Sequence, residues 1–158
     1  MGELYLNFSF FQDFVFEAMG SQNLIIDLCG GGGCYRWSIG NNNNKRTRLR
    51  KKDGVGAWSI LNDASHSETD EIALTATKFK RYRFRLVLQE PGKLKIVVGS
   101  GYENFAKFLE TTDESDIISI DSVKVNSQSN LQAAYVRNFR NFGSTEACTN
   151  NVGSFVCR

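Results

Sequence analysis

The residues with the clearest chemistry are six arginines, placed at every second position of two short runs. Arg46, Arg48 and Arg50 lie in KRTRLRKK (45–52), and Arg81, Arg83 and Arg85 lie in KRYRFRLVL (80–88). A guanidinium presents a planar fork of donors that can hold sulfate, phosphate or carboxylate through two bonds at once. At a spacing of two, three such forks stand on one face of an extended strand. The chemistry on offer is anion recognition rather than bond making. The plainer reading of either row is a solvated sheet face, partly paired with acids of the Glu103–Asp121 segment. If the two rows sat on neighbouring strands they would repel until solvent, acids or a ligand neutralised them. Trp37 and Trp58 add aromatic planes that could stack on sugar rings, although a Trp on an alternating strand is more often a core residue.

Other groups offer less. His66 is the sole histidine and sits in the polar run NDASHSETD, where it reads as a solvated loop residue. One histidine makes neither a His-rich metal site nor a base with an identified nucleophile. Gly30–Gly33 lacks both GxxxxGK[ST] and GxGxxG and joins strand-like runs, so it reads as a turn and not a phosphate loop. Asp113, Glu114 and Asp116 could offer oxygens to calcium, but a solvated acidic loop is the simpler expectation. No metal site, cofactor or catalytic residue is expected.

The elements that must position the arginines are strands. Tyr82, Phe84, Leu86 and Leu88 alternate with the second arginine row, and Leu94, Ile96 and Val98 alternate with Lys93, Lys95 and Val97. A period of two marks half-buried strands, and Pro91-Gly92 between the runs supplies a turn. Lys78–Gly101 is therefore expected to be a hairpin with one apolar and one basic face. Further strands are expected at Phe8–Met19, Asn23–Leu28, Tyr35–Ile39, Lys45–Lys52, Val55–Leu61, Ile72–Ala76, Asp116–Val125 and Leu131–Val136. Tyr102–Leu109 fits either a strand or a helical turn. Short strands punctuated by Gly, Asn and Asp predict an all-β fold, a two-sheet antiparallel β-sandwich of jelly-roll or galectin-like type. The 158 residues, 41% hydrophobic, suffice for one domain with a sizeable core.

The net charge of +2 argues against a general nucleic-acid binder. No apolar run reaches the ~18–20 residues of a membrane span. The start, MGELYLNFSFFQDF, lacks a basic n-region and does not read as a signal peptide. Asn7-Phe8-Ser9 forms a glycosylation sequon at Asn7. Four cysteines, Cys29, Cys34, Cys148 and Cys157, allow two disulfides in three pairings, or four thiols in a reducing compartment. In CGGGGC, a Cys29–Cys34 bond would close a tight loop, leaving Cys148–Cys157.

The order FVFEA, IIDL, YRWSIGNNNNKRTRLRKK, FRLVL, LKIVVGSG and ISIDSVKV resembles the farnesoic acid O-methyltransferase-like domain over about four-fifths of the chain. The more specific parts are the Tyr35…Ile39-Gly40…Asn…Arg48 block and Val98-Gly99-Ser100-Gly101. The resemblance implies an extracellular β-sandwich module. The activity in the family's name is not carried over, since no βαβ unit or Gly-rich motif for S-adenosylmethionine accompanies it. The tail CTNNVGSFVCR (148–158) is similar to the middle of a calcium-binding EGF-like module. That implies an extracellular mosaic parent and an oxidising compartment.

These readings divide the chain into a β-sandwich domain, 1–137, and a linker with a partial EGF-like, disulfide-closed tail, 138–158. The function expected is non-enzymatic extracellular recognition of a sulfated or acidic glycan, or of an acidic protein surface, through Arg46, Arg48, Arg50, Arg81, Arg83, Arg85 and Trp37. The alternative is a structural module that associates with itself or other chains in a matrix or filament.

Overall fold

The computed structural model describes residues 11–41, 46–65, 72–90, 92–101, 106–118, 120–127, 134–142, 148–150 and 154–157. These hold twelve strands and no helix: β1 Phe11–Gly20, β2 Leu24–Gly30, β3 Gly33–Ile39, β4 Arg46–Asp53, β5 Ser59–Ser65, β6 Lys80–Glu90, β7 Lys93–Ser100, β8 Ala106–Asp113, β9 Ser122–Ser127, β10 Ala134–Asn141, β11 Cys148–Asn150 and β12 Ser154–Cys157. They form two antiparallel sheets, β10-β1-β6-β7-β8 and β11-β12-β9-β2-β3-β4-β5. The chain is an all-β sandwich, as its periodicity predicts. The hairpin β11–β12 extends the second sheet from five strands to seven through the pairing of β12 with β9.

Period-two patterning accounts for the core. Tyr82, Phe84 and Leu86 of β6 are buried, and Arg81, Arg83 and Arg85 between them are not. Leu94, Ile96 and Val98 of β7 continue that face, with Phe84 opposite Val98 and Leu86 opposite Ile96. From the other sheet, Leu24, Ile26, Leu28, Tyr35, Trp37, Ile39 and Leu49 enter the same apolar cluster. At its centre Trp37 meets Phe84 edge-on with ring centroids 5.6 Å apart, and Tyr82 at 5.9 Å. Such pairs add ~0.5–1.5 kcal/mol each beyond the area they bury.

Several boundaries differ from the sequence expectation. β5 begins four residues later than Val55 and takes in Asn62–Ser65, because Asp63 pairs across the ladder with Arg48. Ile72 and Leu74 are buried without a strand; Leu74 makes only an isolated bridge to Asn41. Residues 116–118, 120 and 121 are not strand either. Asp116 has φ 33° and the backbone N–H of Ile118 donates to the Tyr35 hydroxyl at 3.2 Å, so side-chain anchors replace a ladder there. β10 runs through the expected boundary at 137/138 and buries Phe139 against Phe14 and Phe16, so the start of the supposed linker belongs to the sandwich.

The Cys29–Cys34 disulfide is present, between directly opposed residues of β2 and β3 with Cα atoms 4.1 Å apart. Gly33, next to it, has φ +135°, and a Cβ there would lie 1.8 Å from the Lys52 carbonyl oxygen. Gly33→Ala is therefore expected to cost roughly 1–3 kcal/mol for the backbone conformation alone. Gly31→Ala, with open space around it, is expected to melt like the unaltered chain. Equal melting temperatures for the two variants would refute the close approach.

Candidate anion-binding site

The two arginine rows are not neighbours. Arg46, Arg48 and Arg50 lie on β4 of the seven-stranded sheet, and Arg81, Arg83 and Arg85 on β6 of the five-stranded sheet. The residues alternating with each row enter one shared core, so the rows stand on opposite outer faces of the sandwich.

The outer face of the seven-stranded sheet carries the denser cluster. Register places Arg36 opposite Arg50, and Ser38 opposite Arg48. Arg36 donates to Asp27 through Nε and Nη2, at 2.7 and 2.9 Å. Arg46 donates to Asp63 through the same pair of nitrogens, and Arg48 reaches Asp63 Oδ2 at 3.2 Å. These bonds, the one from Arg46 foremost, hold the Asp63 carboxyl below its usual range. Arg50 lies among Arg36, Arg48 and Arg46, and no ion pair to it is formed among the described residues. Its buried Nε has no hydrogen-bond partner there. Burial first, then repulsion from Arg48 and Arg36, lowers its pKa. A bound anion would offset the repulsion. Trp58 borders this cluster, with the Arg36 guanidinium 4.0 Å from its ring centroid and Lys52 Nζ at 5.7 Å.

Trp37, expected as a ligand-stacking residue, is corrected to a core residue. It is 0% exposed and donates its indole N–H to Thr47 Oγ1 at 2.6 Å. Its parity on β3 faces it inward, and the aromatic plane available beside the arginines is that of Trp58. Sequence reasoning passed over Arg36, although it shares a strand face with Cys34 and Ser38 and alternates with Tyr35 and Trp37.

The row on the five-stranded sheet also has a carboxylate partner. Arg83 donates to buried Asp13 through Nε at 2.7 Å and Nη2 at 2.5 Å, and these bonds raise the arginine's pKa. Arg137 lies 3.5 Å from Glu17, and Lys95 lies 2.7 Å from Glu110. Asp63 is the carboxylate that Arg46 and Arg48 share, and Asp13 is the one that Arg83 holds. A groove of about 330 Å³ on this face is lined by Glu17, Arg81, Asn138, Arg140 and Phe142, among others.

No family model and no curated protein matches this chain. Among solved structures it is similar to a Scytalido-glutamic peptidase crystallised with a peptide-based transition-state analogue. The identity is 8%, 93% of this chain and 91% of that chain are covered, and the TM-score is 0.28. A likeness of that size carries no argument about activity.

A second polar cluster lies between the sheets. Lys51, whose parity places it with Thr47 and Leu49, is 2% exposed and pairs with Asp113 Oδ2 at 2.8 Å. The Tyr35 hydroxyl donates to the same oxygen at 2.7 Å, and the Ser115 backbone N–H and hydroxyl donate to Oδ1. Asp113 is therefore neither solvated nor open to a cation, which corrects the solvated-loop expectation for that residue; Glu114 remains exposed. Among the described residues no group of three or more His, Cys, Asp or Glu could hold a metal ion, and no helix is long and apolar enough to cross a membrane. Asn7 and His66 lie outside the described residues. Cys148 and Cys157 are register partners across β11 and β12, but their side chains lie outside what is described.

Proposed function

We propose that this chain is a non-enzymatic recognition module of extracellular type that binds a sulfated or acidic glycan through the outer face of the seven-stranded sheet. The observation that carries this is Arg50, half-buried among three other guanidiniums with no carboxylate on it among the described residues. Sulfate groups match the geometry of such forks, and Trp58 beside them offers a surface for a sugar ring. The Cys29–Cys34 disulfide supports an oxidising compartment. The resemblance to the farnesoic acid O-methyltransferase-like domain and the EGF-like character of the tail belong to this same reading, without the transferase activity of the family's name.

Heparin chromatography tests it. The chain is expected to be retained at low salt and to elute as salt screens the contacts. Arg50→Ala is expected to weaken binding about 10- to 150-fold, since one charge-assisted contact contributes ~1.5–3 kcal/mol and ~1.4 kcal/mol is tenfold. Absence of retention at low salt would sink the proposal.

A further inference from the structure

We infer that the module is divalent and bridges sulfated polysaccharide chains, one on each outer face of the sandwich. This rests on the anion-binding reading above and adds a second face to it. The outer face of the five-stranded sheet presents Arg81, Arg83, Arg85, Lys93, Lys95, Arg137 and Arg140, against Asp13, Glu17, Glu90 and Glu110, with Glu114 beside Lys93. Cations outnumber carboxylates on this face, and Arg81 and Arg140 line its groove together with Phe142, which is 56% exposed. The other outer face has its own excess, with Arg36, Arg46, Arg48, Arg50, Lys52 and Lys124 against Asp27 and Asp63.

The sheets of a sandwich are ~10 Å apart before the outward side chains are added, so no single sulfate touches both faces. A linear polyanion lying along one face leaves the other open to a second chain. The disulfide favours a polyanion of an oxidising compartment, a sulfated glycan over a nucleic acid.

The test titrates heparin into the intact chain at roughly physiological ionic strength, where the Debye length is ~8 Å, and follows light scattering. Scattering is expected to rise to a maximum and then collapse in excess heparin, as each protein becomes capped by separate chains. A heparin octasaccharide, too short to bridge, is expected to bind two per protein without scattering. Arg46→Glu/Arg50→Glu and Arg137→Glu/Arg140→Glu should each retain one octasaccharide and abolish the scattering maximum. One octasaccharide per unaltered chain with no maximum would overturn bridging and leave the single-face reading standing. No octasaccharide bound would overturn both. A maximum that persists in both variants would overturn the two-face assignment, and single-stranded DNA of equal charge binding as tightly would overturn the choice of a sulfated glycan.

Discussion

Asp113→Ala is expected to destabilise the fold by about 3–5 kcal/mol, the cost of stripping one partner from a buried ion pair. The side chains of Lys51 and Asp113 are 2% and 3% exposed, with 2.8 Å between Nζ and Oδ2. Removing the carboxylate leaves the Lys51 ammonium with the Ser115 and Asp116 carbonyl oxygens and with Asp53 at 3.5 Å, whose own side chain is largely solvated. It also takes the acceptor from the Tyr35 hydroxyl and from the Ser115 N–H. Because Lys51 stands on β4 and Asp113 ends β8, the pair ties the two sheets together. The bond from Asn62 Nδ2 on β5 to the Glu110 carbonyl on β8, at 2.9 Å, ties them on the same side. Urea unfolding at neutral pH measures the loss as a lower midpoint with an unchanged slope. A double-mutant cycle with Lys51→Met isolates the pair itself, and a coupling near zero would refute the account.

The same cluster fixes a pH dependence. Burial pushes the Asp113 carboxyl upward, and the bonds from Lys51, Tyr35 and Ser115 outweigh it, so its pKa lies below the ordinary value. A depressed carboxylate stabilises the fold above its unfolded pKa of ~3.9. That contribution is lost as pH falls through the folded value, and Asp113→Ala should therefore flatten the stability profile below about pH 4. Tyr35 has the opposite sign. Burial first, and then its bond to Asp113, raise its pKa, so its contribution is complete below ~10 and declines as pH rises beyond that.

Trp37→Ala is expected to cost about 3–5 kcal/mol, the range for deleting a buried aromatic side chain. Trp37 has no solvent exposure, three aromatic neighbours within 6.1 Å and a bond to Thr47. At ~2–4 °C per kcal/mol for a chain of this size, the melting temperature should fall by about 10 °C. Trp58→Ala removes a half-buried ring beside Arg36 and should leave the melt nearly unchanged while weakening heparin retention. If Trp37→Ala melted within a degree or two of the unaltered chain, the placement of this ring at the centre of the core would be wrong.

The residues that alternate were legible, because the direction of a strand side chain depends only on its parity. Parity separates Arg81, Arg83 and Arg85 from Tyr82, Phe84 and Leu86, and Arg46, Arg48 and Arg50 from Thr47 and Leu49. It also carries Lys51 to the inner face, a signal easily passed over because an ammonium is seldom buried without a partner. That partner, Asp113, lies 62 positions further along the chain, and nothing local to either residue announces the other. The stretch after Asp113 misleads in the opposite sense: Ile118 and Ile120 alternate, yet the Tyr35 hydroxyl holds Ile118 and neither residue lies in a strand.

The amino-acid order alone determined an all-β chain with two arginine rows, each backed by apolar residues, because a period of two is a property of the extended backbone. Only the tertiary structure decided that the rows face away from each other, that Arg50 stands among guanidiniums, and that Trp37 belongs to the core while Trp58 borders the basic face. Those facts depend on which strands become neighbours. β4 lies between β3 and β5, and β6 between β1 and β7. Strand order is set by long-range pairing and by the burial of one shared core, and the period within any single strand carries no record of it.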